Sequence, residues 1–201
     1  MLGRSPPLGY SAAQFPTGDL LVQLMRLSLG FLACVSLFTP LAPAADDLSG
    51  AHDFDFEFGD WTVHHRIKRT SGEWYEMDGI SNTRPILAGL GNVEDNLFHR
   101  PEGDSRGVAM RAYDPGTGKW AIWWIDSRAP HGALDPPMKG RFEKGVGNFY
   151  SDGQLNGKPV RTRFIWSRIT GDSARWEQAF SYDAGKTWDT NWVMEFRRAP
   201  R

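Results

Sequence analysis

From residue 46 onward no stretch repeats its apolar positions every three or four residues, as an amphipathic helix would. Several stretches instead alternate apolar and polar residues and stop at Gly, Pro, Asn or Asp. The alternation predicts strands at about 60–69, 73–82, 92–99, 106–114, 119–127, 141–151, 159–169, 174–183 and 190–198. Connections are short, so consecutive strands should pair antiparallel as a meander. Two connections read as hairpins: Tyr113-Asp114-Pro115-Gly116-Thr117-Gly118-Lys119-Trp120 and Tyr182-Asp183-Ala184-Gly185-Lys186-Thr187-Trp188. Pro and Gly set their turn dihedrals, and Asp183 is expected to accept hydrogen bonds from turn amides. Residues 128–140 read as a Pro-rich loop or lid. Eight to ten short strands in one domain must hide their edges. An all-β, antiparallel up-and-down barrel does so by closure, and a two-layer sandwich is the alternative.

Alternation also assigns faces. One face carries Trp61, Val63, His65 and Ile67, then Val108, Met110 and Ala112, then Trp120, Ile122, Trp124 and Asp126. It continues with Thr162, Phe164 and Trp166, with Trp176, Gln178, Phe180 and Tyr182, and with Trp192, Met194 and Phe196. The other face carries Arg66, Lys68, Arg111, Arg161, Arg163, Arg175, Glu177, Glu195 and Arg197. The first set is expected inside and the second on a solvated wall. The interior is rich enough in Trp that side chains alone could fill it.

The remaining features concern address and class. Residues 25–44 have a short basic start at Arg26, an apolar run over 27–38, and Ala42-Pro43-Ala44 as a small-x-small cleavage site. This is the pattern of a secretory signal cut after Ala44, and the run is too short to span a bilayer as a helix. Residues 1–24 then read as an over-long start or leader, and 45–201 as a single exported domain, periplasmic or secreted. The only Cys lies in the signal, so the domain has no disulfide and no cysteine metal site. A formal net charge of -1 argues against nucleic acid as partner.

The domain opens Phe54-Asp55-Phe56-Glu57-Phe58-Gly59-Asp60-Trp61, and its Gly59-x-Trp61 step resembles the lipocalin and wider calycin signature. The resemblance implies that Trp61 plugs one barrel end and that an Arg near the end of the last strand, Arg198 by strand phase, packs over it. With the Tyr113–Trp120 hairpin and Asn191-Trp192, the chain is similar to a bacterial group of exported calycin-like domains of unknown function. That implies binding of a small apolar molecule and supplies no catalytic residues. Residues Ser181 to Trp188 also match the S-x-D-x-G-x-T-W box of sialidase-type propellers, but one copy in one small domain reads only as a hairpin.

His52, His64, His65, His99 and His131 show no metal spacing, and no cofactor or metal is expected. A metal or haem site would need His65 or His99 with distant partners. The candidate ligand-binding residues are His65, Met110, Trp124, Asp126, Phe164, Trp166 and Gln178. The expected function is binding of a small hydrophobic or amphipathic molecule by a monomeric barrel. One alternative is an isomerase, cyclase or hydratase acting on a hydrophobic substrate through His65 and Asp126. The other is a filled barrel that meets an envelope partner through its outer surface.

Overall fold

The computed structural model describes residues 47–200, so the signal, its cleavage site and residues 1–46 lie outside the described residues. Ten strands form the domain: β1 Gly59–Lys68, β2 Trp74–Ile86, β3 Gly91–Phe98, β4 Ser105–Asp114, β5 Lys119–Asp126, β6 Met138–Glu143, β7 Val146–Leu155, β8 Lys158–Ser167, β9 Ser173–Ser181 and β10 Asp189–Arg198. Each pairs antiparallel with the next, and β10 pairs with β1 to close the cylinder. The meander barrel is therefore as expected, and the sandwich is excluded. Among the described residues no helix is long and apolar enough to cross a membrane.

The stretch at 141–151 is two strands, not one. Lys144 and Gly145 both take positive φ (52° and 77°), giving a two-residue turn that joins β6 to β7. The strand β6 also starts at Met138, inside the expected loop, so the irregular segment is 127–137. The two expected hairpins form. Asp114 accepts from the Gly116 amide and the Thr117 hydroxyl. Asp183 accepts from the amides of Lys186 and Thr187 and from the hydroxyls of Ser181 and Thr187. Tyr182, expected inside, is 59% exposed because β9 ends one residue before it.

A short 3-10 turn, Asp55–Glu57, plugs the end where β1 begins. Trp61 is 1% exposed, and its indole N–H donates to the Glu57 carbonyl at 2.7 Å. The Arg198 guanidinium lies over that indole, 3.9 Å from the ring centroid. It also donates to the carbonyls of Phe56, Phe58 and Gly171. One side chain thus ties the last strand to the plug. Phe54, Trp120, Phe149, Trp166 and Phe196 pack beside it as a floor, each at most 2% exposed. The desolvated cation–π contact is worth about 1–2 kcal/mol. Replacing Arg198 by Ala also frees the carbonyls of Phe56 and Phe58, so denaturant unfolding should show a loss of about 2–3 kcal/mol. The Lys variant, with fewer donors, should recover only part.

Candidate functional site

The barrel has a sealed half and an open half. Two clefts, of about 340 and 650 Å3, lie at the sealed end, beside Phe56, Phe142 and Lys144 and beside Asp60, Asp172 and Arg198. Neither is lined by the residues of the opposite mouth.

The open half holds a belt of inward-facing rings. Phe98 on β3 is 5.1 Å from His65 on β1, 6.1 Å from Trp124 on β5 and 6.0 Å from Trp192 on β10, between ring centroids. Trp176 on β9 continues the belt at 5.5 Å from Trp192, and Phe164 on β8 lies 4.7 Å from Trp176. Gln178, the register neighbour of Phe164 and Trp192, donates to Asn191 at 2.9 Å. Water reaches this belt, since Trp124 keeps 39% of its surface exposed and Phe164, Gln178 and Trp192 are half-buried. Trp124 fits only because Gly107 faces it: a β-carbon there would sit 2.0 Å from the indole.

His65 is buried, and desolvation pushes its pKa down to about 3, with the charges of Arg100 and His64 adding to the effect. The ring is neutral at ordinary pH. Its Nδ1 accepts the Trp192 indole N–H at 3.2 Å, which leaves the proton on Nε2. Asp126 sits at the rim, where Arg128 chelates it at 2.6 and 2.9 Å. That hydrogen bonding lowers its pKa to about 2. The structure therefore joins His65 to Trp192 and Asp126 to Arg128, and does not join the proposed acid–base pair to each other.

Of the seven expected site residues, His65, Trp124, Phe164 and Gln178 come together in the open half, and Asp126 stands at its edge. Trp166 belongs to the sealed floor, 5.1 Å from Phe196 and 5.4 Å from Phe56. Met110 is a correction. It is 36% exposed on the outer face, and the interior positions of β4 are Gly107, Ala109, Arg111 and Tyr113. Apolar residues occupy both phases of β4, so alternation alone does not choose. The choice follows Arg111, expected on the wall but only 3% exposed.

Arg111 donates to Asn92 at 3.0 Å, to Glu57 at 3.1 Å and to Glu94, which also accepts from Ser81 at 2.8 Å. Its guanidinium stands 4.8 Å from the Phe54 ring. One buried cation thus serves two carboxylates. Burial, with Glu94 adding to it and Arg111 only partly offsetting it, raises the Glu57 pKa well above its usual range. The folded protein keeps a proton on Glu57 that the unfolded chain releases near 4.5. Stability therefore falls as pH rises above that point, until the folded state also releases the proton. This cluster gives β2, β3 and β4 a fully buried polar inner wall beside the floor rings Phe54 and Trp166.

No protein-family model matches the chain, and no curated protein matches it. Among solved structures it is similar to the S-type phycobiliprotein lyase CPES from Guillardia theta, with a TM-score of 0.54 and 9% identity over 74% of this chain and 91% of that one. It is similar also to Rv2717c from M. tuberculosis, with a TM-score of 0.54 and 14% identity over 77% of this chain and 100% of that one. These likenesses establish the fold, which is that of the calycin-like barrels of lipocalin type.

Two variants test the buried cluster. Glu57→Gln copies the protonated acid, so its thermal midpoint should match wild type near about pH 4.5 and exceed it by a margin that grows toward about pH 8. Arg111→Met strands the carboxylates and should cost about 3–5 kcal/mol in denaturant unfolding.

Proposed function

We propose that the protein is an exported barrel that binds a small hydrophobic or amphipathic molecule in its open half. One observation carries the reading: the inward-facing rings of Trp124, Phe164 and Trp192 remain open to water, whereas Phe98, His65 and Trp176 beside them and the floor rings are buried. A ligand there would gain about 25 cal/mol for each Å2 of apolar surface it removes from water. Trp124 would form its outermost wall, with Phe164, Trp176 and Trp192 around it. Gln178, half-buried beside Phe164 and Trp192, would fix orientation. Export rests on the signal pattern at residues 25–44, and its test is the N-terminus of the protein made in its host, which should begin at Ala45.

A second reading has one observation in its favour. Val93, Met110 and Trp123 are register neighbours on the outer face, beside Val108 and Ile125, and together form an apolar strip on the wall. A partner could meet the barrel there without entering it.

The two readings differ in their response to Trp124. N-phenyl-1-naphthylamine, a neutral fluorescent probe, should bind the wild type, and Trp124→Ala should weaken it about five- to tenfold. Met110→Gln should leave it unchanged. The reverse pattern would favour the outer strip.

A further inference from the structure

Arg100 lies in the connection between β3 and β4 and folds back over the mouth. Its Nη1 donates to the Tyr75 hydroxyl at 3.1 Å and its Nε to the Ser105 hydroxyl at 2.8 Å. The guanidinium carbon stands 5.3 Å from the Phe98 ring centroid. Phe98 faces inward, Ser105 is its register neighbour on β4, and Tyr75 lies two residues from inward-facing Met77 on β2. The cation therefore lies across the inner rim, directly above the belt.

Its company sets it apart from most arginines of the wall. Arg66, Arg106, Arg141, Arg161 and Arg175 each face a carboxylate. At the rim, Arg128 is matched by Asp126, and Asp104 is engaged by His99. The hydrogen bonds of Arg100 go to two neutral hydroxyls, and among the described residues it forms no ion pair with a carboxylate. Glu102, on the same connection, is exposed. Arg69 adds a second cation to this side of the rim, 4.6 Å from the Tyr75 ring centroid. A guanidinium held by two hydroxyls beside the Phe98 ring is oriented, partly desolvated and still able to bind an anion. Its planar fork suits a carboxylate.

We infer that the ligand is an organic acid, whose carboxylate is held at the rim by Arg100 and whose apolar body rests on Phe98, Trp124 and Trp192. The inference rests on the ligand-binding reading and narrows it to one class of compound. The polar group stays at the mouth and the apolar end points toward the floor, so the acid enters tail first.

Competition against N-phenyl-1-naphthylamine tests this with three compounds that share a chain and differ in head group: dodecanoate, 1-dodecanol and dodecylamine. Dodecanoate should bind about tenfold more tightly than the alcohol, with the amine weakest. Arg100→Gln should remove the advantage of the acid and leave the alcohol and the probe within about twofold of wild type, as expected for a lost charge contact over an intact apolar site. Arg100→Lys keeps the charge without the fork and should retain a reduced preference for the acid. Unchanged probe binding also shows that both variants are folded. Equal binding of acid and alcohol to the wild type would overturn the inference alone. So would an Arg100→Gln variant that keeps the preference, or one that weakens all three compounds alike. Failure of the probe and all three compounds to bind the wild type would overturn the ligand-binding reading together with it.

Discussion

Arg198 stacks on Trp61 and reaches the backbone carbonyls on either side of Glu57, so the end of β10, the start of β1 and the plug meet at one guanidinium. The meander places the last strand beside the first, and closure removes the edges that an open sheet of ten strands would expose. Closure alone leaves two mouths. The stacked pair, with Phe54 and the floor rings beneath it, converts one mouth into a base. Only then does the other become a cup in which water can be displaced by something apolar.

Across the barrel the two walls differ. Rings from β1, β3, β5, β8, β9 and β10 make the apolar belt, whereas Ser81, Asn92, Glu94 and Arg111 put hydrogen-bonding groups inside β2, β3 and β4. A buried cation with two carboxylates is a poor source of stability, because desolvation consumes most of the Coulombic gain. It is a good source of specificity. Glu57 comes from the plug, and Glu94 and Arg111 come from the wall, so the hydrogen bonds form together only when the plug is seated in one register. The proton retained on Glu57 keeps the cluster from carrying an uncompensated buried charge.

Architecture was largely legible in the sequence, since a two-residue period bounded by turn residues has few physical readings. Trp61 and Arg198 were legible too, through the resemblance of the Gly59-x-Trp61 step to the lipocalin signature, with strand phase choosing Arg198. The Lys144-Gly145 turn was not, because a two-residue turn needs only one glycine and scarcely interrupts the alternation. Four of the seven expected site residues converge because each shares its strand's phase with a buried tryptophan: His65 with Trp61 on β1, Trp124 with Trp120 on β5, Phe164 with Trp166 on β8 and Gln178 with Trp176 on β9. On β4 both phases are apolar, and the tie was broken by the buried carboxylates and by the room Trp124 needs beside Gly107. The strand β3 hides its role more fully: Asn92, Glu94 and Asn96 look like a solvated face and are all buried. Arg100 gives no pattern at all, since its role arises from a connection that folds back on the mouth.

The nine tryptophans divide between the parts of this account, which makes their indole N–H signals in a two-dimensional 1H–15N spectrum its most direct test. On addition of an apolar ligand, the signals of Trp124, Trp176 and Trp192 should move, while those of Trp61, Trp120 and Trp166 in the floor and of Trp74 and Trp188 outside should stay. Shifts confined to the outer indoles of Trp74, Trp123 or Trp188, with the belt silent, would contradict a ligand site inside the barrel.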